Sequence, residues 1–142
     1  MFLQNDVLNE ATANCFICGS KNEAGLKLKY YRDESGKSFT EFVIPEHLVG
    51  YKGIFHGGLI TAVLDDLMYY AMEPDARNVM TVNINVNFRS PAYTGRKVKA
   101  IGEIFEKNGK VVKVKGRLLE GETLLADAEG KFVIVPQEKI QL

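Results

Sequence analysis

The 142-residue chain has no net charge, since 18 Lys and Arg balance 18 Asp and Glu. Binding to a phosphate backbone needs a surplus of cations, so a nucleic-acid partner is not expected. Long apolar runs are also missing. The longest mainly apolar stretch, residues 57–64, stops at Asp65, far short of the roughly 18 residues a membrane helix needs. The opening residues, MFLQNDVLNEATAN, lack cations and a useful apolar segment, so no secretory signal is read there. Cysteine is scarce, with two in all. That rules out a disulfide framework and, without an export signal, points to a cytoplasmic protein with reduced thiols. No G-x-S-x-G, G-x-x-x-x-G-K-[ST], H-E-x-x-H or G-x-G-x-x-G occurs, which removes the chemistries those motifs carry.

What is present is the mix of an ordinary globular protein, 46% hydrophobic and 25% charged. The length suits one domain over residues 1–142, with residues 1–25 as a lead-in. Charge is uneven: residues 1–88 hold 7 basic and 11 acidic groups, and residues 89–142 hold 11 basic and 7 acidic. A mildly basic second half suits either solvated strand faces or a small anionic ligand.

Residues 26–33 and 39–44 read as a hairpin turned at 34–37. A Gly-punctuated loop follows, then a helix over 57–72. Val82, Ile84, Val86 and Phe88 alternate with Thr81, Asn83, Asn85 and Asn87, the pattern of a strand with one buried face. Strands over 97–105, about 112–118 and 123–135 are marked off by Asn108-Gly109 and Gly121-Glu122, the last bent near Gly130. This is an α+β chain, one antiparallel sheet carrying one helix, with neighbouring strands expected to pair.

The helix has no charged face. Leu59, Ile60, Ala62, Val63, Leu64, Leu67, Met68, Ala71 and Met72 nearly surround it, and Asp65 and Asp66 are its only acids. It is therefore wrapped, by the sheet curving around it or by a second chain on its far side, and dimerisation is the natural expectation. Acids in such a helix either follow a polar seam to solvent or cation, or line a site. Helical geometry alone does not settle which of the two points inward. At the helix start, Gly57 and Gly58 leave free amides at the positive end of the dipole, a place for an oxyanion or a polarised carbonyl. His56 beside them either orients a group or is structural.

The runs GYKGIFHGGLITAVLDD (50–66) and NVNFRSPAYTG (85–95) resemble the hotdog-fold acyl-CoA thioesterases, specifically the phenylacetate-pathway type. The resemblance covers residues 26–135 and implies a hotdog fold, a curved antiparallel sheet wrapped around one long central helix. It implies that the Gly57 amide polarises a thioester carbonyl and that Asp65 is nucleophile or general base. It further implies that His56 holds the loop and that Thr81 positions water or the acid. Gly58, Arg89, Ser90 and Arg96 fall where relatives bind the CoA moiety, and the turn over 93–97 borders them. The substrate is then a small acyl-CoA, no cofactor is needed, and the site lies in a homodimer or dimer of dimers, where Thr81 serves the other copy's Asp65. The acyl pocket is expected among Met68, Tyr69, Met72 and Phe88. Two departures stand out: Gly50 replaces the Asn or Gln that relatives place six residues before the histidine, and Asp66 is a second candidate acid. Cys15-x-x-Cys18-Gly19 resembles a leader in one branch of the family. With no second Cys pair and only His47 and His56 as histidines, it reads as a structural turn rather than a metal site or redox dithiol. The rival reading of the whole chain is a non-catalytic acyl-CoA binding module.

Overall fold

Alternation builds the sheet, and the residues that break it set the turns. The protein is represented by a computed structural model that describes residues 2–3, 12–73, 76 and 78–136. In chain order the elements are β1 (Phe2–Leu3), β2 (Tyr31–Arg32), β3 (Ser38–Val43), α1 (Gly57–Tyr69), β4 (Val79–Phe88), β5 (Lys97–Asn108), β6 (Val111–Glu120) and β7 (Thr123–Ile134). The sheet is antiparallel in the order β1-β2-β3-β5-β6-β7-β4. The lead-in over 4–11 lies outside the described residues.

The hairpin β5–β6 turns at Asn108-Gly109, with Gly109 at φ 62°. In β6, Val112, Val114 and Leu118 are buried and alternate with Lys113, Lys115 and Arg117, as the sequence pattern requires. Elsewhere the structure corrects the sequence reading. The first strand shrinks to Tyr31–Arg32, because residues 26–30 form no strand pairing and Leu26 and Leu28 instead bond Phe16 and Ile17. The helix ends at Tyr69 rather than Met72: Ala71 and Met72 donate to Met68 and Tyr69, three residues back, in a tightened last turn. Sequential strands β4 and β5 do not pair. β4 joins the far side of β7, and residues 89–96 cross the sheet end to start β5 beside β3. That crossing is pinned by the amides of Arg89 and Ser90 on Leu125 O, at 2.8 and 3.1 Å.

The helix lies close to the sheet because three strands present glycine beneath it. A Cβ on Gly102 would stand 2.6 Å from Ser38 Oγ and 3.2 Å from Leu67 Cγ, and one on Gly130 would stand 2.9 Å from Met68 Cε. Gly116, paired with Gly102, faces Leu64, Leu67 and Met68 in the same way. Ile60, Leu64, Leu67 and Met68 fill this trough. A second flank is covered by the segment carrying Cys15, Ile17, Cys18, Leu28 and Tyr30. Gly58, Thr61, Ala62, Asp65 and Tyr69 recur at helical spacing on a third face, which the chain leaves partly open.

The strand β4 is an edge, and only part of its alternation is covered: Ile84 and Val86 are half-buried against the core. Met80, Val82 and Phe88 are each more than half exposed, at 55%, 54% and 56%. The pairing with β7 slips between Thr81 and Asn83, so a bulge interrupts the alternation.

Candidate active site

The bulge in β4 decides what meets the helix. Without it, Thr81 would share the outward face of Asn83, Asn85 and Asn87. The extra residue re-aims the strand, so that both Thr81 and Phe88 lie against α1. Thr81 Oγ1 donates to Asp65 Oδ1 at 2.8 Å. The Phe88 ring stands 3.4 Å from where a Gly57 Cβ would be. Thr81 thus reaches Asp65 of its own chain, where the resemblance implied the other copy's. Burial pushes the Asp65 carboxyl above the ordinary carboxylate range, and the Thr81 hydrogen bond offsets part of that rise.

His56 is the helix N-cap. Its backbone is extended, and its Nδ1 accepts from the Gly58 amide at 2.9 Å. Its own amide donates to Leu48 O at 3.1 Å, so the loop before the helix is tied down on both sides. Gly58 N–H is therefore spent on His56 and is not a free donor for substrate. Gly57 N–H has no acceptor among the described residues, and it stands at the mouth of the helix dipole. Gly50, where a polar residue was missing, packs against the His56 ring.

Eight residues of helix separate Gly57 from Asp65, a rise of about 12 Å. A carbonyl oxygen held by one group and attacked through the other needs them about 6–7 Å apart. Along one helix the backbones of the two positions are set farther apart than that.

The residues expected at the CoA moiety lie at the helix-start end of the sheet. Phe55 N donates to Ala92 O at 2.8 Å, which sets the 90–96 segment beside the loop that precedes Gly57. Both of its candidate cations already have acids. Arg89 Nε is 2.7 Å from Asp127 Oδ2 and Arg96 Nη1 is 3.1 Å from Glu120 Oε2, all partly exposed. Arg89, with Asn87, holds the Asp127 carboxyl below its usual range. Ser90 contributes its amide to the crossing and is half-buried. The expected acyl pocket is corrected in part: Met68 and Met72 are sealed in the core at 0% and 2% exposure, and only Phe88 and Tyr69 keep open surface.

Asp66, whose direction helical geometry left open, reaches no cation among the described residues. It turns to the flank covered by the N-terminal segment, where Cys15 Sγ donates to its Oδ1 at 3.8 Å. Its Oδ2 is enclosed and without a hydrogen-bond partner. Burial pushes this carboxyl well above the ordinary range. It does not share the face of Asp65. Sequence reasoning had missed the convergence of Asp66 with Cys15 and Cys18, because it counted only cysteine and histidine as companions for the pair. The Cys15–Cys18 spacing was visible; the third donor, 48 residues beyond Cys18, was not.

Comparison with known proteins bears on the family and the fold. A family model described as the thioesterase superfamily matches residues 52–126. An uncharacterised protein of Schizosaccharomyces pombe is 31% identical over 112 residues, which is 73% of this chain and 64% of that protein. An uncharacterised mitochondrial membrane protein of Saccharomyces cerevisiae is 25% identical over 109 residues, 72% of this chain and 45% of the other. The matches thus span less than two thirds of these relatives' lengths. The solved structure of the Escherichia coli PaaI protein from the phenylacetic acid degradation operon superposes with a TM-score of 0.71 at 13% identity, covering 78% of this chain and 81% of that one. The expected hotdog architecture is the one observed, and none of the described helices is long and apolar enough to cross a membrane.

Proposed function

Because the chain belongs to the thioesterase superfamily, we propose that it hydrolyses an acyl-CoA thioester in a site completed by two copies. Asp65 of one copy takes a proton from water. The oxygen of that water adds to the thioester carbonyl carbon, and the resulting oxyanion rests on the Gly57 amide of the other copy. Collapse breaks the C–S bond, and the CoA thiolate leaves and takes up a proton. The observation that carries this reading is the Asp65–Thr81 pair on the partly open helix face, with the Gly57 amide unengaged but 12 Å away along its own helix, by the ~1.5 Å rise per residue. The raised Asp65 pKa makes its carboxylate a stronger base than an exposed one, as a general base requires.

The exposed edge β4, with Met80, Val82 and Phe88, is where a second copy docks, continuing the sheet and covering the third helix face. Arg89 and Arg96 sit near the Gly57 end, where CoA phosphates would lie. Exchange of an exposed carboxylate partner for a phosphate costs little there, because solvent-exposed ion pairs are weak. The free thiols of Cys15 and Cys18 suit a reducing compartment, and the cytoplasm is our reading. Fractionation of the native host separates that from the mitochondrial setting of the budding-yeast relative.

Thiol release from a panel of aryl, short-chain and medium-chain acyl-CoAs tests the proposal. Asp65→Asn is expected to lower kcat about 10²–10⁴-fold with KM nearly unchanged. Saturable binding with no thiol released from any member would instead make the chain a binding module.

A further inference from the structure

Two thiols and a carboxyl converge on the flank of α1 that faces away from the substrate side. Cys15 and Cys18 come from the turn that precedes the core, and Asp66 comes from the helix. Their donor atoms all lie within 4.8 Å of one another. We propose that Cys15, Cys18 and Asp66 form a binding site for a divalent metal ion of the zinc class, with the fourth tetrahedral position taken by a solvent oxygen.

Four observations carry this. The first is the donor set: two sulfurs at C-x-x-C spacing and one carboxylate are soft and borderline ligands, which select zinc over magnesium or calcium. The second is scale. With bonds of about 2.3 Å to sulfur and 2.0–2.2 Å to oxygen, tetrahedral donors stand roughly 3.3–3.8 Å apart, so these three need to draw in by only about 1 Å. The third is Asp66 Oδ2, enclosed and hydrogen-bonded to nothing. No ion pair among the described residues reaches Asp66. A disulfide between the cysteines would leave that oxygen as it is, whereas a cation among the three donors satisfies it.

The fourth observation is support around the sulfurs. The Cys18 amide points at Cys15 Sγ at 3.5 Å, and the Tyr70 hydroxyl donates to Cys18 Sγ at 3.2 Å. Donors aimed at sulfur stabilise thiolates and orient ligands. The turn that presents them closes on Gly19, where a Cβ would stand 2.4 Å from Cys15 N and 2.5 Å from Ala13 O. Tyr30, fully buried, stacks on Tyr70 at 4.6 Å between ring centroids and so steadies the ring whose hydroxyl reaches Cys18. Binding releases the thiol protons to solvent and clamps the N-terminal turn to the helix one residue beyond Asp65.

The test reads metal rather than activity, so it stands or falls separately from the thioesterase proposal. The full chain, expressed with zinc and dialysed under reducing conditions, is analysed for metal by mass spectrometry. The zinc-stripped protein is then titrated with cobalt(II). One zinc per chain is expected, with cobalt giving intense thiolate-to-metal bands in the near ultraviolet and visible bands of a tetrahedral ion. Both are expected to vanish in the Cys15→Ser, Cys18→Ser double variant, and Asp66→Asn should weaken cobalt binding by more than about tenfold, the loss that removal of even an outer-shell partner causes. The wild-type spectrum needs no variant, so a variant that fails to fold leaves the test standing. Wild-type protein without metal and without thiolate bands would overturn the site. So would cysteines found as a disulfide in protein kept under reducing conditions, or an Asp66→Asn variant that binds cobalt as tightly as wild type.

Discussion

Asp65 and Asp66 are neighbours in sequence, yet their side chains meet different worlds. Adjacent helical positions differ by about 100°, so one faces Thr81 and the partly open surface and the other faces two thiols. The Thr81 bond favours the ionised form of Asp65. Its removal in Thr81→Val raises the Asp65 pKa further, and the acidic limb of the kcat/KM–pH profile is expected to move to higher pH. An unmoved limb would mean that Asp65 is not the titrating base. The same burial makes Asp65 costly to the fold. Its pKa is raised, so the folded state binds its proton more tightly than the unfolded state does, and stability falls as pH climbs from the ordinary carboxylate value through the raised one. Asp65→Asn is therefore expected to raise Tm at pH 7 while it lowers turnover, as differential scanning calorimetry beside a thiol assay would show. At this scale the sequence showed that two acids sat in a greasy helix. It did not show which way each pointed, because that depends on a one-residue bulge in β4 and on a cysteine turn some fifty residues upstream.

The helix is set by its start and by its bed. His56 caps the first turn through Nδ1 and leaves the Gly57 amide unengaged. His56→Ala removes one accepted hydrogen bond and is expected to cost about 0.5–2 kcal/mol in urea unfolding, with a fall in kcat as the Gly57 amide loses its fixed position. In the glycine trough, Gly102→Ala places a methyl 2.6 Å from Ser38 Oγ, itself bonded to Leu67 O at 2.7 Å and unable to swing away freely. Overpacking of this kind costs about 1–3 kcal/mol, and a lower urea midpoint with unchanged m is the expected reading. The strands were legible where alternation met burial on one face only, as in β6. They were misread where the pattern had another cause. Residues 26–30 alternate because they cover the helix flank, and β4 alternates along an edge where Ile84 and Val86 meet the core but Val82 and Phe88 stay exposed. The trough was visible only as isolated glycines, since alignment of Gly102 with Gly116 is a matter of register.

At the scale of the whole molecule, the single chain is unfinished. A ten-residue edge strand is open, three large apolar side chains on it are more than half exposed, and one helix face is partly bare. Each is a liability for a lone protomer and an asset for a pair. The wrapped helix, read from composition, already pointed to a second copy, and the proposed shared site would give that copy a chemical task. Subunit mixing tests it most directly. Asp65→Asn and Gly57→Val chains, each inactive alone, are coexpressed and assayed for thiol release. If the site is shared, a mixed dimer holds one site with both defects and one with none, so a random mixture recovers about a quarter of wild-type activity. If Gly57 and Asp65 of the same chain serve one site, every site carries a defect and the mixture stays as inactive as its parents.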